Sequence, residues 1–460
     1  MNTGDTAWLL TSSALVLLMT PGLAFFYGGL VRAKSVLNMI MMSISAIGIV
    51  GVLWVLYGYS EAFGNDVANG LIASPFEFFG LKGLIGEGTL SGSTPATAFV
   101  AFQCMFAVIT VALISGAIAD RARFGPWALF AALWATIVYF PVAHWVFDFD
   151  VTDPTTGAVT DGGGWIANQL KAIDFAGGTA VHINSGSAAL ALALILGRRV
   201  GWPKEPMKPH NVPMVMLGAG LLWFGWFGFN AGSALKANNT ASVVFVNTFV
   251  ATCAAMLAWL LVERIRDGRP TMVGAASGIV AGLVAITPSC SSVTPVGAIA
   301  VGALAGVVCA LCVTLKYRFG FDDSLDVVAV HLFGGLTGTL AVGFFASASS
   351  PAATAPGTVT PGVEGLFYGG GVDQLWRQAV GAGAVLAYSF VVSLVIGLVV
   401  KYTVGFRTGA DAEVSGIDEI EHSESGYEFS GLRGGSVATA LDTHSSNAQN
   451  KVPATASKEV

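Results

Sequence analysis

Charge is missing from long stretches of this sequence, and that constrains the fold more than any other feature. No Asp, Glu, Lys or Arg occurs in residues 6–31, 35–60, 88–119, 124–147, 175–197, 209–235, 237–262, 270–315, 327–363 or 378–400. A helix of about 20 apolar residues crosses the roughly 30 Å of hydrocarbon in a bilayer and satisfies its own backbone there. The 270–315 stretch is too long for one crossing and is interrupted by TPSCSSVTP, so it counts as two. The pattern predicts an all-α integral membrane protein with 11 transmembrane helices. It excludes an ordinary soluble enzyme, because only 11% of the 460 residues are charged against about 25% in water-soluble domains. The 58 glycines suit close helix packing in lipid.

Lys and Arg then set the orientation, since short cytoplasmic loops retain positive charge. With the loops after spans 1, 3, 5, 7 and 9 and the tail inside, 18 of the 22 basic residues are cytoplasmic and only Lys82, Lys171, Lys236 and Arg377 stay outside. The N-terminus is therefore expected outside and the C-terminus inside. MNTGDTAWLL has no Lys or Arg before its apolar stretch, unlike a secretory signal, so residues 6–31 read as a retained first helix. A net charge of -6 with scattered cations argues against a nucleic-acid partner. Cys309 and Cys312 have CxxC spacing inside GVVCALCVTL but no second pair, so packing is the better reading than zinc.

Composition shifts after the last span. Residues 1–401 form the transmembrane domain. Residues 402–428, with seven acidic residues from 411 onward, read as an ordered cytoplasmic element, and the Ser-, Thr- and Asn-rich residues 429–460 as a disordered tail. Asp411, Glu413, Asp418 and Glu419 are candidates to pair with Arg121, Arg123, Arg198 and Arg199, with Phe406 and Ile417 buried beneath them.

Ionisable groups at membrane depth are costly and usually functional. His182 lies eight residues after Asp174 at the start of the fifth span, and His331 five residues after Asp326 in the tenth. These spans run in opposite directions and each closes a group of five helices, the arrangement of a 5+5 inverted repeat with its site at the repeat interface. At 1.5 Å per residue His182 is roughly 12 Å from the outer surface and His331 roughly 7 Å from the inner one, about 10 Å apart in depth, a gap that a shift of the helix boundaries can largely close, so the two are expected to form one hydrogen-bonded pair. Asp174 precedes FAGGT, where free N–H groups at a helix start welcome a carboxylate. Phe106 in span three, and Trp226 and Phe229 in span six with Ser233 one turn on, add aromatic faces that attract cations once water is removed. The loop from Asp148 to Asp174 is acidic and would draw a cation.

The sequence resembles the ammonium transporters, the family of Amt, Mep and Rh proteins, and is most similar to the bacterial Amt type. The resemblance runs from about residue 8 to residue 428 through TPGLAFFYGGLVR, DFAGGTAVHINSG, PHNVPMV, GWFGFNAGS and DVVAVHLFGG. It implies a homotrimer of 11-helix protomers in the cell membrane, each with a narrow hydrophobic pore, and no enzyme activity. By resemblance His182 and His331 match the paired pore histidines, Phe106 and Phe229 the stacked gate, and Trp226 the pore-lining tryptophan. Ser233 and Asp174 match residues of the outer substrate site. Where many relatives carry a tryptophan three residues after the histidine of PxAH, this chain reads PVAHWVFDFD and has Phe147, with Trp145 on another helix face. The proximal tail resembles a regulatory element that implies a PII-type nitrogen-signalling partner.

Ammonium and potassium have similar size and charge, so fit alone separates them poorly. An apolar pore charges any ion a heavy desolvation cost, but ammonium can leave its proton and cross as ammonia; methylammonium would serve as an analogue. One neutral imidazole can donate to the other while accepting from the substrate. The reading includes no catalytic residue, no metal and no cofactor. Its rivals are an ammonium sensor of the same fold and a membrane redox protein with a haem held by His182 and His331. No GxxxxGK[ST] loop is present to support an ATPase.

Overall fold

The computed structural model describes residues 1–153, 155–350 and 363–427. Eleven apolar helices follow in chain order: α1 (Thr3–Leu30), α2 (Ala33–Phe63), α3 (Ala96–Ile118), α4 (Phe124–Phe147), α5 (Gly178–Leu196), α6 (Val212–Gly232), α7 (Asn239–Arg266), α8 (Met272–Ile286), α9 (Pro295–Phe319), α10 (Val328–Phe345) and α11 (Asp373–Thr403). Among the described residues ten are long and apolar enough to cross a membrane, and α8, with 15 residues, is shorter.

Five helices open on a side chain that covers a free N–H group of the first turn. Asn2, Asn211, Asn238, Thr271 and Thr294 accept from the backbone N–H three residues on, at 3.0, 3.0, 3.1, 2.9 and 3.2 Å. Pro295 then sits at the first position of α9, where its missing N–H costs nothing. The TPSCSSVTP interruption is thus a helix end and a capped restart.

The helices do not stop where the charge-free stretches stop. Residues 90–95 form a hairpin, β1 (Leu90–Ser91) against β2 (Thr94–Pro95), and α3 begins only at Ala96. α7 runs on through Arg264 and Arg266, and α11 spans Arg377 and Lys401, because long cationic side chains can lie along the helix and reach polar surroundings.

α1 lies along α6, α7 between α8 and α9, and α5 against α10 and α11. In α5, 89% of the most apolar window is buried inside the protein, against 33% in α2 and α11, so α5 is central and the other two are peripheral. The outer helices leave Leu217, Phe224, Leu257, Leu261, Val391 and Val395 exposed, as lipid contact requires.

Beyond α11 the tail forms α12 (Ala410–Ser415) and α13 (Ile417–His422), with Phe406 and Ile417 buried beneath them. Its carboxylates cap other elements. Asp418 accepts from the Leu37 and Asn38 N–H groups at the start of α2, at 2.9 and 2.8 Å, and Glu421 from the Phe124 N–H that opens α4, at 3.1 Å. Glu413 accepts from the Val200 N–H and pairs with Arg407. The arginines expected to hold the tail are mostly engaged elsewhere: Arg199 with Asp322 and Asp120, Arg121 with Ser324 and the Asp322 carbonyl, and Arg198 with the Gly320 carbonyl. Of these four arginines only Arg123 meets a tail carboxylate among the described residues, Glu421 at 3.4 Å. The expected disordered segment 429–460 lies outside the described residues.

Candidate functional site

α5 and α10 each begin with a π turn, Gly178–Ile183 and Val328–Leu332, and each π turn carries a histidine. The π form is rare and marks functional sites; here it widens the helix where the side chain must turn inward. Two glycines let the helices cross closely at this level. A Cβ on Gly186 would stand 2.4 Å from the Leu332 nitrogen, and one on Gly335 3.1 Å from the His182 Cβ. The outcome is direct contact: Nδ1 of His331 lies 3.2 Å from Nδ1 of His182, with ring centroids 5.3 Å apart and planes 26° from parallel. The hydrogen-bonded pair expected from the equivalent placement of the two histidines is present. One imidazole donates and the other accepts, so the pair holds one proton between its Nδ1 atoms.

An aromatic column continues from the pair. His182 stacks on Trp226 at 5.4 Å and on Phe229 at 6.1 Å. Phe229 stacks on Phe106 at 4.2 Å, and Phe147 meets Phe106 edge-on at 6.3 Å. Trp226 is fixed by its Nε1–H, which donates to Thr287 Oγ1 at 2.9 Å. Ser233, just past the end of α6, donates its hydroxyl to the Phe229 carbonyl at 2.8 Å. Trp145 is turned away, donating to the Leu71 carbonyl and packing on Tyr388 at 4.8 Å. On the other side of the rings a cavity is lined by Met19, Leu23, Phe26, Ile109, Leu113, Val181, Leu222 and Val280, together with His182, Trp226, Phe229 and His331. The only polar side-chain atoms in this lining are those of the two histidines and the Trp226 indole. Nε2 of His182 is buried with no hydrogen-bond partner among the described residues, an arrangement expensive enough to need an explanation.

Asp174 does not touch the histidines; it builds the helix that carries one of them. Its Oδ1 accepts from the Gly177 and Gly178 N–H groups at 2.8 and 2.7 Å, and its Oδ2 from those of Thr179 and Ala180 at 2.8 and 3.0 Å. One carboxylate thereby satisfies four N–H groups at the opening of α5. Burial pushes its carboxyl above the ordinary range while the four N–H groups pull it down.

The counterpart of Asp174 escaped the sequence reading. It is Asp323, eight residues before His331 as Asp174 is eight before His182, and its Oδ2 accepts from the Val328 N–H at 2.7 Å. Asp326, five residues before His331, instead pairs with Lys316 at 2.7 Å. Equal spacing from each histidine was the signal in the sequence. Burial and the neighbouring Asp326 push the Asp323 carboxyl upward, opposed by Lys316.

Residues 7–427 match the model of the Ammonium Transporter Family. The chain belongs to this family. It is similar to an ammonium transporter of Mycobacterium bovis, 63% identical over 94% of this chain and 92% of that protein. Among solved structures, Mep2 of Saccharomyces cerevisiae is 36% identical with a TM-score of 0.80, over 89% of this chain and 88% of that one. A sensor Amt protein is 29% identical with a TM-score of 0.79, over 91% and 98% of the two chains. This family member is accordingly a multi-pass protein of the cell membrane, and the paired histidines, aromatic column and capped α5 lie within the matched residues.

Proposed function

We propose that this protein conducts ammonium nitrogen across the membrane as ammonia, taking ammonium at an outer site and removing its proton before the pore. The observation that carries the reading is the buried histidine pair in an otherwise apolar cavity, with Nε2 of His182 unpartnered among the described residues. An ion entering that cavity would lose its hydration with almost nothing to replace it. Ammonia, small and neutral, can hydrogen-bond to the free imidazole nitrogen and move on.

In this reading Phe147, Phe106, Ser233 and the field of Asp174 form the outer site, and Phe106 and Phe229 close the entrance. Trp226, His182 and His331 line the pore. All 11 helices span, the N-terminus is outside, and two inverted groups of five meet at α5 and α10; their matched π turns, histidines and capping aspartates support this. Residues 402–428 form a regulatory element of a homotrimer, open to a PII-type signalling protein. The docked carboxylates of the tail support this assignment.

The 63% identical relative named as a transporter favours transport over the sensor alternative, represented by a protein at 29% identity. A haem between the histidines is disfavoured because their Nδ1 atoms are already in direct contact. Purified protein in liposomes should pass ammonium or methylammonium and reject potassium. Equal fluxes of potassium and ammonium, or no flux of either, would refute the reading.

A further inference from the structure

Among the described residues His144 is the one fully buried histidine outside the pore pair, and no step of the proposed transport uses it. It lies one turn before Phe147 at the end of α4. Its Nδ1 is 3.0 Å from Asp148 Oδ2, and its Nε2 is 3.6 Å from Asp66 Oδ1 in the loop after α2. Neither nitrogen makes an aligned hydrogen bond among the described residues, so the two carboxylates are the imidazole's nearest polar neighbours. The last backbone bond of α4, from the Asp148 N–H to the His144 carbonyl, is stretched to 3.4 Å, at the weak end of the range. The helix end bearing Phe147 therefore relies on side chains to keep its place.

Other contacts converge on the same point. The Asp148 carbonyl accepts from the Gly164 N–H at 2.9 Å and from Asn168 Nδ2 at 3.0 Å. Trp145 ties α4 to the loop holding Asp66. The groups facing the bridge are Tyr59 from α2, Asp66 and Glu77 from the loop beyond it, Asp148 and Asp150 after α4, and Asp161 on β3 (Val159–Asp161). One imidazole thus stands among five carboxylates beside the mouth of the aromatic column.

We propose that His144, bridged to Asp148 and Asp66, is a positioning residue for the outer cation site: it fixes the end of α4 so that Phe147 faces Phe106. The inference rests on the transport reading and adds to it a determinant of grip. Burial pushes the Asp148 carboxyl up to about 6, with His144 acting against the rise. The sign follows directly. Above that pH Asp148 is an anion beside the imidazole nitrogen; as external pH falls through it, Asp148 takes a proton and that acceptor is lost.

The test measures initial methylammonium uptake into proteoliposomes from pH 7 to 5, a range in which this amine stays a cation. The wild type should show KM rising as pH falls through about 6, with kcat steady. Asp148→Asn should raise KM about five-fold at pH 7, the loss of roughly one cation–π contact, and remove the acid dependence. His144→Gln should do the same, and if that variant fails to fold, Asp66→Asn provides the second measurement. Wild-type uptake with unchanged KM and pH profile in Asp148→Asn and either partner variant would overturn the inference alone. No uptake by the wild type would overturn the transport reading and this inference with it.

Discussion

At the residue scale, the structure separates groups that line the apolar cavity from groups that hold it in shape. Asp174→Ala would strip four N–H groups of their acceptor. Removing a cap costs about 0.5–2 kcal/mol, and buried N–H groups left without partners raise that further. We expect lower yield, a lower melting temperature and loss of uptake, whereas Asp174→Asn, which keeps one acceptor oxygen, should retain part of each. Wild-type expression and uptake in the alanine variant would contradict the capping role. Phe229→Ala removes a fully buried ring from between Phe106 and His182; a truncation of this size costs about 3–5 kcal/mol in a tight core. Planar-bilayer recordings of this variant should show an altered ion leak, and an unchanged leak with unchanged ammonium flux would count against closure by these rings. The histidine pair was legible in the sequence because two ionisable residues stood in apolar runs at matched places. Asp323 was passed over because Asp326 is nearer to His331, although its eight-residue spacing matches that of Asp174 from His182 and the backbone geometry shows that it reaches the helix start.

At the element scale, the charge-free stretches located the helices and misplaced their ends. Charge marks where a side chain can leave the membrane, and a long Arg or Lys does so from inside a helix, as α7 and α11 illustrate. The π turns of α5 and α10 were invisible for a different reason: they depend on the crossing of two helices distant in sequence. The tail was half legible. Its burial of Phe406 and Ile417 follows from apolar residues in an acidic segment, but its carboxylates were assigned to arginines when backbone N–H groups at the starts of α2 and α4 were the stronger acceptor-seekers. Asp418→Ala should therefore loosen the tail more than loss of an exposed ion pair, which is worth about 0–1 kcal/mol. Hydrogen exchange checks this: residues 402–427 should be protected in the wild type and exchange faster in Asp418→Ala. Equal protection in both would show that Asp418 is not what holds the tail.

At the scale of the whole molecule, one helix bundle with two matched histidine-bearing helices accounts for the site, and the assembly around it is the next level to test. Native mass spectrometry from mild detergent should give a mass three times that of the protomer; a monomer retaining full flux would remove the trimer from the account. The stacked Phe106 and Phe229 matter at this scale as well, since their ring centroids lie only 4.2 Å apart and leave no standing bore. A living membrane carries a voltage, and each elementary charge falling through 100 mV releases about 2.3 kcal/mol. A permanently open hole would drain that store, whereas in the proposed gate two rings parting for one molecule at a time would let nitrogen in while the membrane stays electrically tight.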